Sequence, residues 1–151
     1  MLALTPGNAK SVLHASEALQ PGPGHTLRQH VNISRERLRD RNDKPNSGEL
    51  EGKCAFVDIH QCCELLPLAI QHMQAMGERE RAFVQNFGNI PYGTNIRTSG
   101  IRLPMVVRVR YSYGEMNNLP TNKFYLSAYK LEDRPHRLHI VTFYPQPTLD
   151  Y

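Results

Sequence analysis

Two histidines, His25 and His30, stand five residues apart and lead into Arg35, Arg37, Arg39 and Arg41. A histidine exchanges a proton near neutrality, whereas arginine keeps its charge and offers a planar fork of donors that matches a phosphate. Together they suit a phosphodiester. If the substrate is RNA, a 2′-hydroxyl must lose a proton, the phosphorane must be neutralised and the 5′-oxygen must gain a proton. His30 can make one of those transfers and Arg41 can hold the non-bridging oxygens bidentately. The same residues also fit a histidine at the edge of the core beside a solvated helix face, and spacing alone does not choose.

Near the other end, Thr142 and Tyr144 are two residues apart and so share one face of a strand. Strict alternation puts them on the face of Leu138 and Ile140, with Val141 and Phe143 opposite. If that face meets the N-terminal helices, the two hydroxyls emerge at the lip beside His30 and Arg41. Ordinary β-propensity of Thr and Tyr is the competing explanation.

Other chemistries find less support. Cys54, His60, Cys62, Cys63 and His72 cluster in sequence, but no Cys-x-x-Cys pair occurs. Adjacent Cys62 and Cys63 would project about 100° apart on a helix, unsuited to one tetrahedral metal site. Small buried cysteines are the expectation. No phosphate-binding glycine loop is present, and the acids are scattered rather than gathered for a two-metal site. The favoured chemistry is therefore metal-independent, without a cofactor.

The elements that must position these residues follow from periodicity. At 151 residues with net charge +4, the chain fits one domain with a lean towards polyanionic partners. Three cysteines are an odd number and give no disulfide framework. No apolar run approaches the roughly 20 residues of a membrane span, and Met1 to Gln20 lacks a signal-peptide layout. Residues 1–23, ending in Pro21-Gly22-Pro23, read as a leader and linker, with the domain over 24–151. Leu27 and Val31 fall at helical spacing, Ser34 can cap a second short helix through Arg41, and Asn42 to Gly52 has loop composition. Ile59, Cys62, Cys63, Leu66, Ile70 and Met73 predict an amphipathic helix entered at Asp58, kinked or broken at Pro67. A shorter helix is expected over Glu78 to Phe87. From Met105 the chain alternates, with Arg108 and Arg110 on one face and Val107, Val109 and Tyr111 on the other. Lys123 to Leu131 and Leu138 to Tyr144 alternate again. Helices first and strands afterwards give an α+β fold, N-terminal helices packed on a C-terminal antiparallel meander.

Gly24-His25-Thr26-Leu27-x-x-His30-Val31, Leu38-x-x-Arg41, Ala55-Phe56-x-Asp58 and Ile140-Val141-Thr142-x-Tyr144-Pro145 resemble, in order and separation, the bacterial RNase A-like toxin family. That family supplies C-terminal toxin domains of contact-dependent growth inhibition proteins. The resemblance runs from about Gly24 to Pro145. It implies an RNase A-like fold without disulfides and a site of His30, Arg41, Thr142 and Tyr144. It further implies a ribonuclease toxin forming 2′,3′-cyclic phosphate ends, exported within a larger protein and delivered into the target bacterial cytoplasm. A cognate acidic immunity protein would cover the cleft, and the domain would make no stable membrane association. His25 then reads as a structural or capping residue. The helix after Asp58 departs from the family by carrying Cys62, Cys63 and Pro67, and Met105 to Leu131 matches in pattern only. Two rival readings are a non-catalytic RNA-binding module, using Arg35 to Arg41 and the Arg108/Arg110 face for phosphate contacts and Tyr111, Tyr113 or Tyr125 for stacking, and a basic interaction domain that meets an acidic protein.

Overall fold

The apolar steps from Cys62 to Met73 wind into the central helix of the protein. A computed structural model describes residues 1–18, 24, 26–33, 54–111, 119–132 and 138–147. Its elements are α1 (Pro6–Ala18), α2 (Thr26–His30), β1 (Cys54–Ala55), α3 (Ile59–Met73), α4 (Glu78–Gln85), β2 (Asn95–Tyr111), β3 (Leu119–Lys130) and β4 (Leu138–Gln146). The strands form an antiparallel sheet in the order β1-β2-β3-β4. Apolar side chains of α1, α3 and α4 pack against one face of it, which makes the architecture α+β.

Helix α3 starts where its cap allows. The Asp58 carboxylate accepts from the Gln61 N–H at 2.8 Å, and the Gln61 side chain reaches back to the Val57 N–H at 2.9 Å. This satisfies donors that the first turn would otherwise leave open. The same Gln61 amide donates to the Arg108 carbonyl on β2 at 2.8 Å, tying helix to sheet. No break occurs at Pro67, which lies inside the helix. A proline there removes the N–H that would reach the Cys63 carbonyl and crowds that carbonyl with its ring, and seven buried side chains hold the helix on the sheet.

The segment expected to be a leader is folded into the same core. Leu2, Ala9, Val12 and Leu13 are buried with α3 and the sheet, and the Leu2 N–H donates to the Val84 carbonyl at 2.7 Å. Half of the buried face of α1 consists of Ala9 and Ser16, so the apolar stripe is faint in the sequence.

Strand β2 begins at Asn95, well before the expected Met105. Its register slips between Thr98 and Ile101 and again between Arg102 and Val107. Gly100 takes φ 73° at the first slip, a conformation that glycine adopts without strain. These slips let Ile96, Ile101 and Leu103 all reach the core.

Strand β4 corrects the alternation read from sequence. Ser127 pairs with Thr142 while the next residue, Ala128, pairs with Ile140, so Val141 is an extra, bulged residue. After it the faces exchange. Leu138, Ile140 and Phe143 belong to the core, and Thr142 and Tyr144 lie on the opposite face. Phe143 packs at 5.0 Å from Phe56 and 5.9 Å from Phe124, completing an aromatic floor beneath the edge of the sheet. No described helix is long and apolar enough to cross a membrane.

Candidate functional site

As the last strand of the sheet among the described residues, β4 presents backbone N–H groups on its outer edge. The N-terminal helices answer them with hydroxyls. Ser16 Oγ accepts from the Ile140 N–H at 2.9 Å, and Thr26 Oγ1 accepts from the Phe143 N–H at 2.9 Å. Between them Gly24 donates to the Ser16 carbonyl at 2.7 Å, and a Cβ on Gly24 would stand 2.2 Å from the Ile140 carbonyl oxygen. The Gly-x-Thr part of the sequence motif is thus a clamp on the bulged edge strand. The Glu17 carboxylate accepts from the Leu27 N–H at 2.9 Å and fixes the start of α2.

That clamp sets the position of His30. Its carbonyl accepts from the Phe56 N–H at 2.7 Å, and the following Asn32 N–H donates to the Phe56 carbonyl at 2.9 Å. Its ring lies 4.6 Å from that of Tyr144, and its Nδ1 is shut off from solvent. Tyr144 in turn stacks on Tyr125 of β3 at 4.9 Å. Thr142, one alternate position away on β4, is buried, and its Oγ1 has no hydrogen-bond partner among the described residues. His30, Thr142 and Tyr144 are therefore gathered at one edge of the sheet. Arg41 and His25 lie outside the described residues, as do Ser34 and the remaining arginines of that run.

Several side chains at this face were not singled out from sequence. Register puts Arg97 of β2, Ser127 of β3 and Thr142 of β4 in one row across the sheet. A second row holds Arg102 opposite Lys123 opposite Gln146. Gln146 crosses β3 to meet β2, accepting from the Gly100 N–H at 2.7 Å and donating to Ser99 Oγ at 2.9 Å. The polar alternation Lys123, Tyr125, Ser127, Tyr129 was a usable signal for β3. Arg97 had none, because the slips of β2 hide its period.

Charge is distributed unevenly. Strands β2, β3 and β4 carry six Lys or Arg and no Asp or Glu, more positive than the whole chain at +4, so the remainder is net acidic. Two of these cations are structural. Buried Lys130 donates from Nζ to the Ile90 carbonyl at 2.8 Å. Half-buried Arg110 donates to Asn32 Oδ1 at 2.9 Å and to the Ile33 carbonyl at 3.2 Å, holding Asn32 at φ 52° where the chain leaves α2. This engages a residue that the RNA-binding alternative had assigned to phosphate.

The cysteines are packing residues. None of the three is in a disulfide, and all three are buried. Burial pushes the Cys62 thiol well above its ordinary range, with Cys63 and Glu17 acting in the same direction. Burial also raises the Cys63 thiol, against the opposing pull of Lys10. Neither resembles an activated nucleophile. Among the described residues no group of three His, Cys, Asp or Glu side chains is arranged to hold a metal ion. No family model, curated protein or solved structure matches this chain.

Proposed function

We propose that this protein is an RNase A-like ribonuclease, the toxic domain of an interbacterial competition protein, that cleaves RNA without metal. The observation that carries the reading is the meeting of the two chain ends. His30 rests 4.6 Å from Tyr144, beside the buried, unsatisfied Thr142 hydroxyl. A titratable imidazole, a phenol and a free hydroxyl beside an all-cationic sheet suit proton transfer around a phosphorane. In this reading His30 acts as general base or acid, Arg41 neutralises the phosphorane, Thr142 hydrogen-bonds a base or phosphate, and Tyr144 orients phosphate or assists the proton transfer. The 2′-hydroxyl oxygen attacks phosphorus, the P–O5′ bond breaks, and the 5′-oxygen takes a proton. The products are a 2′,3′-cyclic phosphate and a 5′-hydroxyl. Delivery within a larger exported protein and neutralisation by an acidic immunity protein complete the proposal, and the cationic strands favour such an inhibitor.

The test is incubation of labelled RNA with wild type and His30→Ala in EDTA, with the product ends mapped. Cyclic-phosphate ends from wild type and their loss in a folded His30→Ala are expected. Salt-sensitive RNA retention with no new ends would instead establish the binding module, for which the Tyr125–Tyr144 stack is a ready platform. Cleavage of DNA, which lacks the attacking hydroxyl, would overturn the mechanism.

A further inference from the structure

The row Arg97, Ser127, Thr142 lies one step along the strands from Tyr144 and Tyr125. Two residues of a strand advance about 7 Å, comparable with the separation of successive phosphates in an extended single strand. The exposed side chain of Arg97 makes no hydrogen bond or ion pair among the described residues. At the other end of the row the Thr142 hydroxyl is unsatisfied although its residue is only 7% exposed. A buried hydroxyl without a partner is costly unless something else binds it. The reach is adequate. Neighbouring strands are about 4.8 Å apart, and the shorter side chain of Gln146 already spans β3 to the bulge at Ser99 and Gly100. No carboxylate on β2, β3 or β4 competes for the guanidinium.

We propose that Arg97, Ser127 and Thr142 form an anion subsite that holds the RNA phosphate adjacent to the one attacked. This rests on the ribonuclease reading for the identity of the phosphate, but not for the existence of the subsite. Arg97 supplies the charge-assisted bonds, and Thr142 donates its hydroxyl proton to a phosphate oxygen. The substrate is accordingly a single strand with a phosphate beyond the scissile one, lying along β3 and β4 with a base against Tyr125.

Titration of wild type with inorganic phosphate, followed by the amide NMR signals of Ser127 and Thr142, tests the subsite without catalysis. Arg97→Ala should weaken saturation by about 10- to 100-fold, as expected for lost charged hydrogen bonds. Arg97→Lys should recover part of it. Arg79→Ala, which removes an exposed charge on α4, should bind as wild type does. Equal affinity in wild type and Arg97→Ala, or an equal loss in Arg79→Ala, would overturn the subsite. With RNA, Arg97→Ala should raise KM for an oligoribonucleotide more than for a dinucleoside monophosphate, which has only the scissile phosphate. Absence of RNA cleavage by wild type would reject the ribonuclease reading while the phosphate titration still decides the subsite.

Discussion

Thr26→Val isolates one contact on which the site depends. The two side chains are nearly isosteric, but valine offers no acceptor to the Phe143 N–H, which Thr26 Oγ1 now receives at 2.9 Å in a buried setting. Leaving such a donor unpaired costs about 1–3 kcal/mol. Burying a methyl in place of the hydroxyl returns up to about 0.8 kcal/mol. With the full offset a net loss of about 0.2–2.2 kcal/mol follows, which for a domain of this size lowers Tm by up to roughly 9 °C. Thr26→Ser keeps the acceptor and should lose less than about 1 kcal/mol. Urea unfolding of the three proteins measures the differences directly. Because α2 also carries His30 onto Tyr144, the ribonuclease proposal further expects RNA cleavage by Thr26→Val to fall more than its folded fraction explains. Stability of Thr26→Val equal to or above that of wild type, or equal damage from serine and valine, would refute the clamp.

Gly24→Ala introduces a Cβ 2.2 Å from the Ile140 carbonyl oxygen, so backbone must shift; a loss of at least about 2 kcal/mol in urea unfolding is expected, with Gly7→Ala, which meets only Thr5, near neutral. Phe56→Ala empties the aromatic floor beside Phe143 and Phe124 and should cost about 3–5 kcal/mol by denaturant titration. The Cys62 thiol is held above its ordinary range chiefly by burial. The unfolded chain ionises first, so this stabilisation is whole below about pH 8.5 and is lost as pH rises beyond it. Urea midpoints should therefore fall more steeply above that pH in wild type than in Cys62→Ala, and parallel curves would contradict the burial of the thiol. Tyr144→Phe keeps the ring contact with His30 but removes the phenol. Wild-type stability with RNA cleavage lowered by 10-fold or more is expected, and unchanged cleavage would remove the hydroxyl from the mechanism.

Local rules made much of this protein legible. The three- and four-residue apolar steps of α3 and its Asp58 cap report on neighbours within a turn or two, and both are present in the fold. The same holds for the helix ended near Phe87 and for the alternation of β3. The motif residues His30, Thr142 and Tyr144 were also readable, and they do come together. What misled the sequence reading was local irregularity whose outcome depends on distant partners. Alternation alone put Thr142 and Tyr144 on the core face, but the bulge at Val141 reverses the faces. Its residues look like any other β-branched run. The bulge brings Phe143 onto Phe56 and Phe124, and its outward N–H groups are met by Ser16 and Thr26. Those hydroxyls lie far away in the chain, one of them in a segment whose small residues suggested a leader.

Composition, the periodicity of α3 and α4 and the α+β class were thus legible in the sequence itself, because each depends on interactions between near neighbours. Which face of β4 carries the hydroxyls, where β2 begins, and which arginine shares a row with Thr142 were decided only by tertiary structure. Register in a sheet is a contest between whole strands. A single extra residue, stabilised from across the molecule, moves every later side chain to the other side.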